Sequence, residues 1–127
     1  MGILNQIHHV AILASDYEKT KEFYVNKLGF EILRENVRPE RGDVKLDLRC
    51  GDCELEIFGA PGHPARPTDP EAYGLRHLAF RVRNVEETVR QLHDLGIETE
   101  PIRLDPYTNC RMTFFKDPDG LPLELHE

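Results

Sequence analysis

Four residues of this chain have the types that bind divalent cations, and they occur as two copies of one pattern. His9 opens the apolar run Val10-Ala11-Ile12-Leu13-Ala14, and 68 positions later His77 opens Leu78-Ala79-Phe80. Leu55-Glu56-Ile57 recurs at the same offset as Leu123-Glu124-Leu125, so each half carries one histidine and one glutamate 47 positions apart. A single strand histidine or glutamate is most often ordinary polar surface. Two imidazoles and two carboxylates at duplicated positions point instead to one divalent-metal site on a pseudo-two-fold axis. An acid-rich wall would otherwise carry like-charge repulsion that a cation removes.

These residues need elements that put them on one face. Residues 6–14 read as a strand, and Ser15-Asp16-Tyr17-Glu18 fits a capping box for a helix carrying Thr20, Phe23, Tyr24 and Leu28. Gly29 is placed to end it. Strands follow at 30–38, 43–50 and 53–58. The pattern restarts with a strand at 76–83, a helix capped by Asn84 with Val85, Val89, Leu92 and Leu95 on one stripe, a terminating Gly96, and strands at 97–104, 110–116 and 121–126. Asp117-Pro118-Asp119-Gly120 is strong turn chemistry between the last two. The 127 residues therefore read as one α+β domain: module 1 (1–58), a Pro/Gly-punctuated linker (59–74) and module 2 (75–127), each β-α-β-β-β.

Strand alternation tests the site. Leu55 and Ile57 should face the helix, which turns Glu56 the other way; Glu124 between Leu123 and Leu125 behaves alike, and His9 and His77 share that sense. His8 has the opposite parity and is assigned to the helix side or strand start. By the same count Lys45, Asp47, Arg49, Arg81, Arg111 and Thr113 are candidates to line a substrate pocket. If the modules curve together, this face becomes a cleft.

Composition narrows the partners. The net charge of −7 argues against nucleic acid and anionic membrane, which want a basic face, and no stretch reaches the length of a membrane span. Without a readable signal peptide, the expected location is the cytoplasm. Cys50-Gly51-Asp52-Cys53 bridges two strand-like runs and reads as reduced thiols flanking a hairpin turn; Cys110 makes the cysteine count odd.

At His9 with Asp16, Phe23-Tyr24, Leu28-Gly29-Phe30, Glu56, Arg76-His77-Leu78-Ala79-Phe80 and Asp117 to Leu125, the chain resembles the vicinal oxygen chelate superfamily. Within it, the chain is most similar to the bacterial glyoxalase I (lactoylglutathione lyase) branch and its small glyoxalase-like members. The resemblance implies eight strands curving around a metal-binding cleft, with His9, Glu56, His77 and Glu124 holding one zinc or nickel ion. It implies a lyase or isomerase acting through an enediolate on a small α-oxo or α-hydroxy carbonyl compound, such as a thiol hemithioacetal. Glu124 would be the proton shuttle, with Glu56 on the opposite side, and a homodimer is expected. Glyoxalase I carries an arginine and an asparagine for glutathione where this chain has Leu13 and Ala60. Alternatives within the superfamily are an iron(II) dioxygenase, an epimerase, a thiol transferase acting on an antibiotic, or a non-catalytic small-molecule-binding protein.

Overall fold

The computed structural model describes residues 2–127. Its contacts divide the chain into two compact units, Met1–Pro64 and Ala65–Glu127, and the division falls inside the stretch expected to be a linker. In the first unit β1 (His9–Ala14) leads into α1 (Tyr17–Lys21), which continues as a π-helical turn over Glu22–Lys27, and then into β2 (Glu31–Arg38), β3 (Asp43–Cys50) and β4 (Cys53–Gly59). The second unit runs β5 (Leu78–Arg81), α2 (Val85–Asp94), β6 (Arg103–Leu104), β7 (Arg111–Lys116) and β8 (Pro122–His126). Each unit builds one four-stranded mixed sheet, in the orders β1-β4-β3-β2 and β5-β8-β7-β6. This is the α+β architecture of two β-α-β-β-β modules. Among the described residues, no helix is long and apolar enough to cross a membrane.

The repeat survives at the level of register. β1 lies parallel to β4 with Val10 opposite Leu55 and Ala11 opposite Glu56. β5 lies parallel to β8 with Leu78 opposite Leu123 and Ala79 opposite Glu124. In each sheet the face bearing leucine and isoleucine is the buried one. Ile12, Leu46, Leu48, Leu55 and Ile57 form the first core with Phe23 and Tyr24 from the helical segment. Phe115, Leu123 and Leu125 form the second with Val85, Val89 and Leu92 of α2.

Several elements differ from expectation, each for an identifiable reason. β1 starts at His9 rather than residue 6, because β4 offers it no partner beyond Glu54, whose N–H reaches the His8 carbonyl at 3.0 Å. The first helix is capped by Asp16, not Ser15: its carboxylate accepts from Lys19 N, as the Asn84 side chain accepts from Glu87 N in α2. Asp16 and Asn84 stand at the repeat offset, so the cap follows the duplication. The long strand expected over 97–104 shrinks to Arg103–Leu104. Pro101 has no N–H to give the ladder, and Glu100 N to Phe114 O at 2.9 Å is a contact outside the regular strand. Cys50 and Cys53 oppose each other across the β3–β4 turn and are free thiols, as is Cys110. Burial and the Cys53 neighbour push the Cys50 thiol's pKa up.

One close approach locks the helical segment to its sheet. A Cβ at Gly59 would lie 2.6 Å from Tyr17 Cβ, the first residue of α1, so the end of β4 admits no side chain. Gly59→Ala should therefore lower stability by about 1–3 kcal/mol through overpacking. Thermal or urea unfolding followed by circular dichroism checks this; an unchanged midpoint would show that α1 yields freely.

Candidate metal and substrate site

The site begins with the two parallel strand pairs. His9 and Ala11 alternate to the face of β1 away from the core, and Glu56 is opposite Ala11 on β4. The small alanine leaves the space through which the imidazole reaches the carboxylate, with His9 Nδ1 3.3 Å from Glu56 Oε2. The second unit repeats this: Ala79 is opposite Glu124, and His77 Nε2 is 3.0 Å from Glu124 Oε1. Both carboxylates are buried, Glu56 at 9% and Glu124 at 6% exposure, whereas the imidazoles are more open. A burial of this kind costs free energy unless a cation or donors face the carboxylate.

The donor set fits a divalent metal. Two ligands bound at the distances usual for zinc to nitrogen and oxygen stand roughly 2.9–3.4 Å apart when adjacent in an octahedron or tetrahedron. Both histidine–glutamate separations fall in that range. Imidazole nitrogen with carboxylate oxygen suits a divalent first-row transition metal. In the first unit the ligand atoms of His8, His9 and Glu56 lie within 4.8 Å of one another. Of the helix side and the strand start, the two places alternation allowed His8, it takes the strand start, with its Nδ1 2.9 Å from that of His9. It precedes β1, so strand parity has no hold on it.

The surroundings of the two pairs differ. Around Glu56 the sheet face is a charge network. Lys45 Nζ is 2.7 Å from Asp47 Oδ1 and 3.6 Å from Glu56 Oε1, and Arg34 bridges Asp47 at 2.8 Å and Glu54 at 2.5 Å. Asp47 is 1% exposed. Burial alone would raise its pKa, but hydrogen bonds from Lys45 and Arg34 and their charges outweigh that and hold it below the ordinary value. Around Glu124 the corresponding position is aromatic. Phe114 is the register partner of Glu124 on β7, meets the His77 ring edge-on at 5.1 Å, and carries the Arg103 guanidinium over its face at 5.4 Å.

The remaining sequence candidates separate cleanly. Lys45 and Asp47 stand in the network just described. Arg49 is on the same face at its rim, paired with Glu31 at 3.1 Å, and Arg81, opposite His126, is exposed on the Glu124 face. Arg111 and Thr113 are corrections. Thr113 pairs with Leu125, is fully buried on the helix side, and donates its hydroxyl to the Glu100 carbonyl at 2.7 Å. Arg111 shares that side and reaches Glu86 of α2 at 3.0 Å. Their polar character misled the parity of β7. The 67-residue offset between Leu28-Gly29 and Leu95-Gly96 would have corrected it, since it matches Thr113 to buried Leu46 and Phe114 to Asp47.

His126 was also missed. It sits two residues from Glu124 on the same face, with Nε2 3.2 Å from Asp105 and Nδ1 2.7 Å from the Glu127 carbonyl. These contacts, the backbone one first, raise its pKa. Asp105 in turn accepts from Tyr107 N at 2.9 Å, so the 105–109 turn is anchored to β8.

Asp47 gives the network a measurable signature. A carboxylate with a depressed folded-state pKa contributes stability above its unfolded value, and that contribution is lost as pH falls through the folded value. Wild-type stability should therefore drop on acidification below about pH 4. Asp47→Ala should cost about 1–3 kcal/mol near neutrality, because Lys45 and Arg34 lose their shared charged hydrogen-bond acceptor, and should flatten that acid limb. Urea titrations across pH read both; equal acid limbs in the two proteins would contradict the assignment.

The comparisons agree with this architecture. The YwkD protein of Bacillus subtilis is 58% identical over 126 residues, 98% of each chain. A glyoxalase family protein from Enterococcus faecalis has a crystal structure that superposes with a TM-score of 0.94 at 63% identity, covering 99% of this chain and all of that one. More distant are human mitochondrial methylmalonyl-CoA epimerase, 29% identical over 98% of this chain and 74% of its own, and the trypanothione-dependent glyoxalase I of Leishmania major, 28% identical with a TM-score of 0.73 over 98% and 87%. The family model described as Glyoxalase/Bleomycin resistance protein/Dioxygenase superfamily matches residues 6–125, so the chain with its duplicated histidine–glutamate pairs belongs to that superfamily.

Proposed function

We propose that this chain is a glyoxalase-I-like metal-dependent lyase or isomerase. It moves a proton on a small α-oxo or α-hydroxy carbonyl substrate, free or as a thiol hemithioacetal, through an enediolate. The observation that carries the reading is the pair of buried carboxylates, each 3.0–3.3 Å from an imidazole on a matched strand register. His9, Glu56, His77 and Glu124 are the residues we assign to one zinc or nickel ion, two from each unit, in a homodimeric enzyme. Such an ion supplies Lewis acidity that favours negative charge on neighbouring oxygen atoms.

The chain's own groups divide the remaining work. Glu56 is tied to Lys45 as well as His9, which fixes it as a ligand and lowers its freedom to move. Glu124 lies against Phe114 rather than an ammonium, so it is the carboxylate free to take the proton from carbon and return it to the neighbouring carbon. The likeness to an epimerase supports a second reading with the same first step. An epimerase would protonate the same carbon from the opposite face by a second acid, leaving the first proton on Glu124 to exchange with solvent.

The test uses full-length protein loaded with nickel or zinc, methylglyoxal–thiol adducts and an α-chiral thioester, in deuterated water. Product formation from the adducts identifies the lyase; inversion with deuterium uptake identifies the epimerase. Glu124→Gln should lower kcat about 10³-fold with bound metal retained or weakened. Activity that survives this substitution, or no turnover of either class, would end the proposal.

A further inference from the structure

The second unit carries a groove of about 460 Å³ that the reaction chemistry above does not use. Arg66, Arg76 and Lys116 line it with Thr68 and Tyr73, against Glu71 as its one carboxylate. In a chain of net charge −7 this is a local inversion of sign. Glu71 answers Arg76 at 3.1 Å, which leaves the other two cations unopposed by acidic lining. Arg66 donates through Nη2 to the carbonyls of Leu75 and Arg76, both at 3.0 Å, and so is held in place. Its Nε is buried without a hydrogen-bond partner among the described residues.

The groove reaches the same sheet face as Glu124. Lys116 and Pro122 are register partners, two residues from Phe114 and Glu124 and on the same sheet face. One such step along a strand is about 7 Å, the length of a short metabolite. Arg76 directly precedes His77.

We propose that this groove binds a carboxylate or phosphate group of the substrate whose reacting carbon is presented to Glu124. The inference rests on the proposed function and deepens it: the substrate is an organic anion, with its charged end in the arginine–lysine groove. A guanidinium and an ammonium recognise either oxyanion by charge-assisted hydrogen bonds, and the volume suits a small acid.

Amide-resolved NMR on isotope-labelled full-length protein tests this without metal or turnover. Inorganic phosphate and malonate are titrated separately at constant ionic strength, with chloride as the control. Saturable shifts at residues 66–76 and 116–122 are expected with phosphate, malonate or both, and the pattern names the oxyanion. Lys116→Glu and Arg76→Gln, whose spectra also report folding, should each weaken that binding about tenfold or more. Shifts no larger than with chloride, or unchanged affinity in both variants, would overturn the groove assignment. The deuterium experiment on Glu124 would still stand or fall independently.

Discussion

The structure depends on one constraint: a parallel strand pair in fixed register, made twice. In β1–β4 and in β5–β8 a leucine lies opposite an apolar residue on the buried face, and the next position sets a glutamate opposite an alanine on the other face. Sliding either pair by one residue would send the glutamate into the core and a leucine out. The hydrophobic face therefore holds the carboxylates in place, and the alanines let the histidines reach them. Chemistry and core packing are specified by the same register, so the site is as rigid as the sheet beneath it.

The duplication is not symmetrical in its consequences. One carboxylate is embedded among Lys45, Asp47, Arg34 and Glu54, where cations and carboxylates alternate across the sheet face. Its counterpart faces Phe114, with Arg103 beyond the ring. A single exchange of aspartate for phenylalanine at matched positions turns a charge network into an apolar wall. In the proposed reaction this difference in neighbours is what lets one glutamate be the fixed ligand and the other the mobile base. The same asymmetry extends outward: a basic groove borders the aromatic half, while the acidic cluster borders the other.

Much of this was legible in the amino-acid order. The offset of the histidines and glutamates, the leucine–glutamate–aliphatic triplets, and the glycines that close both helices specify two β-α-β-β-β modules, because hydrophobic period and capping chemistry are local. Where local signals competed, the reading slipped. Ser15 and Asp16 are both competent caps; the repeat offset from Asn84 favours Asp16, and its side-chain bond from Lys19 N makes it the cap. Pro101 interrupted a strand that composition alone favoured. Thr113 looked outward because it is polar, yet its hydroxyl is satisfied by a backbone carbonyl, which makes it acceptable in the core.

By itself the sequence determined which residues recur and on which side of a strand each glutamate must stand, since alternation follows from backbone geometry. Tertiary structure decided what those residues face. His8 enters beside His9 because the chain leaves the strand just before it. Phe114 is set opposite Glu124, Arg103 over that ring and His126 against Asp105 through strand pairings and turns that no local pattern encodes. Distances of 3.0 and 3.3 Å between imidazole and carboxylate arise only when two segments more than forty residues apart are brought into register, and that closure is a property of the folded sheet rather than of either segment.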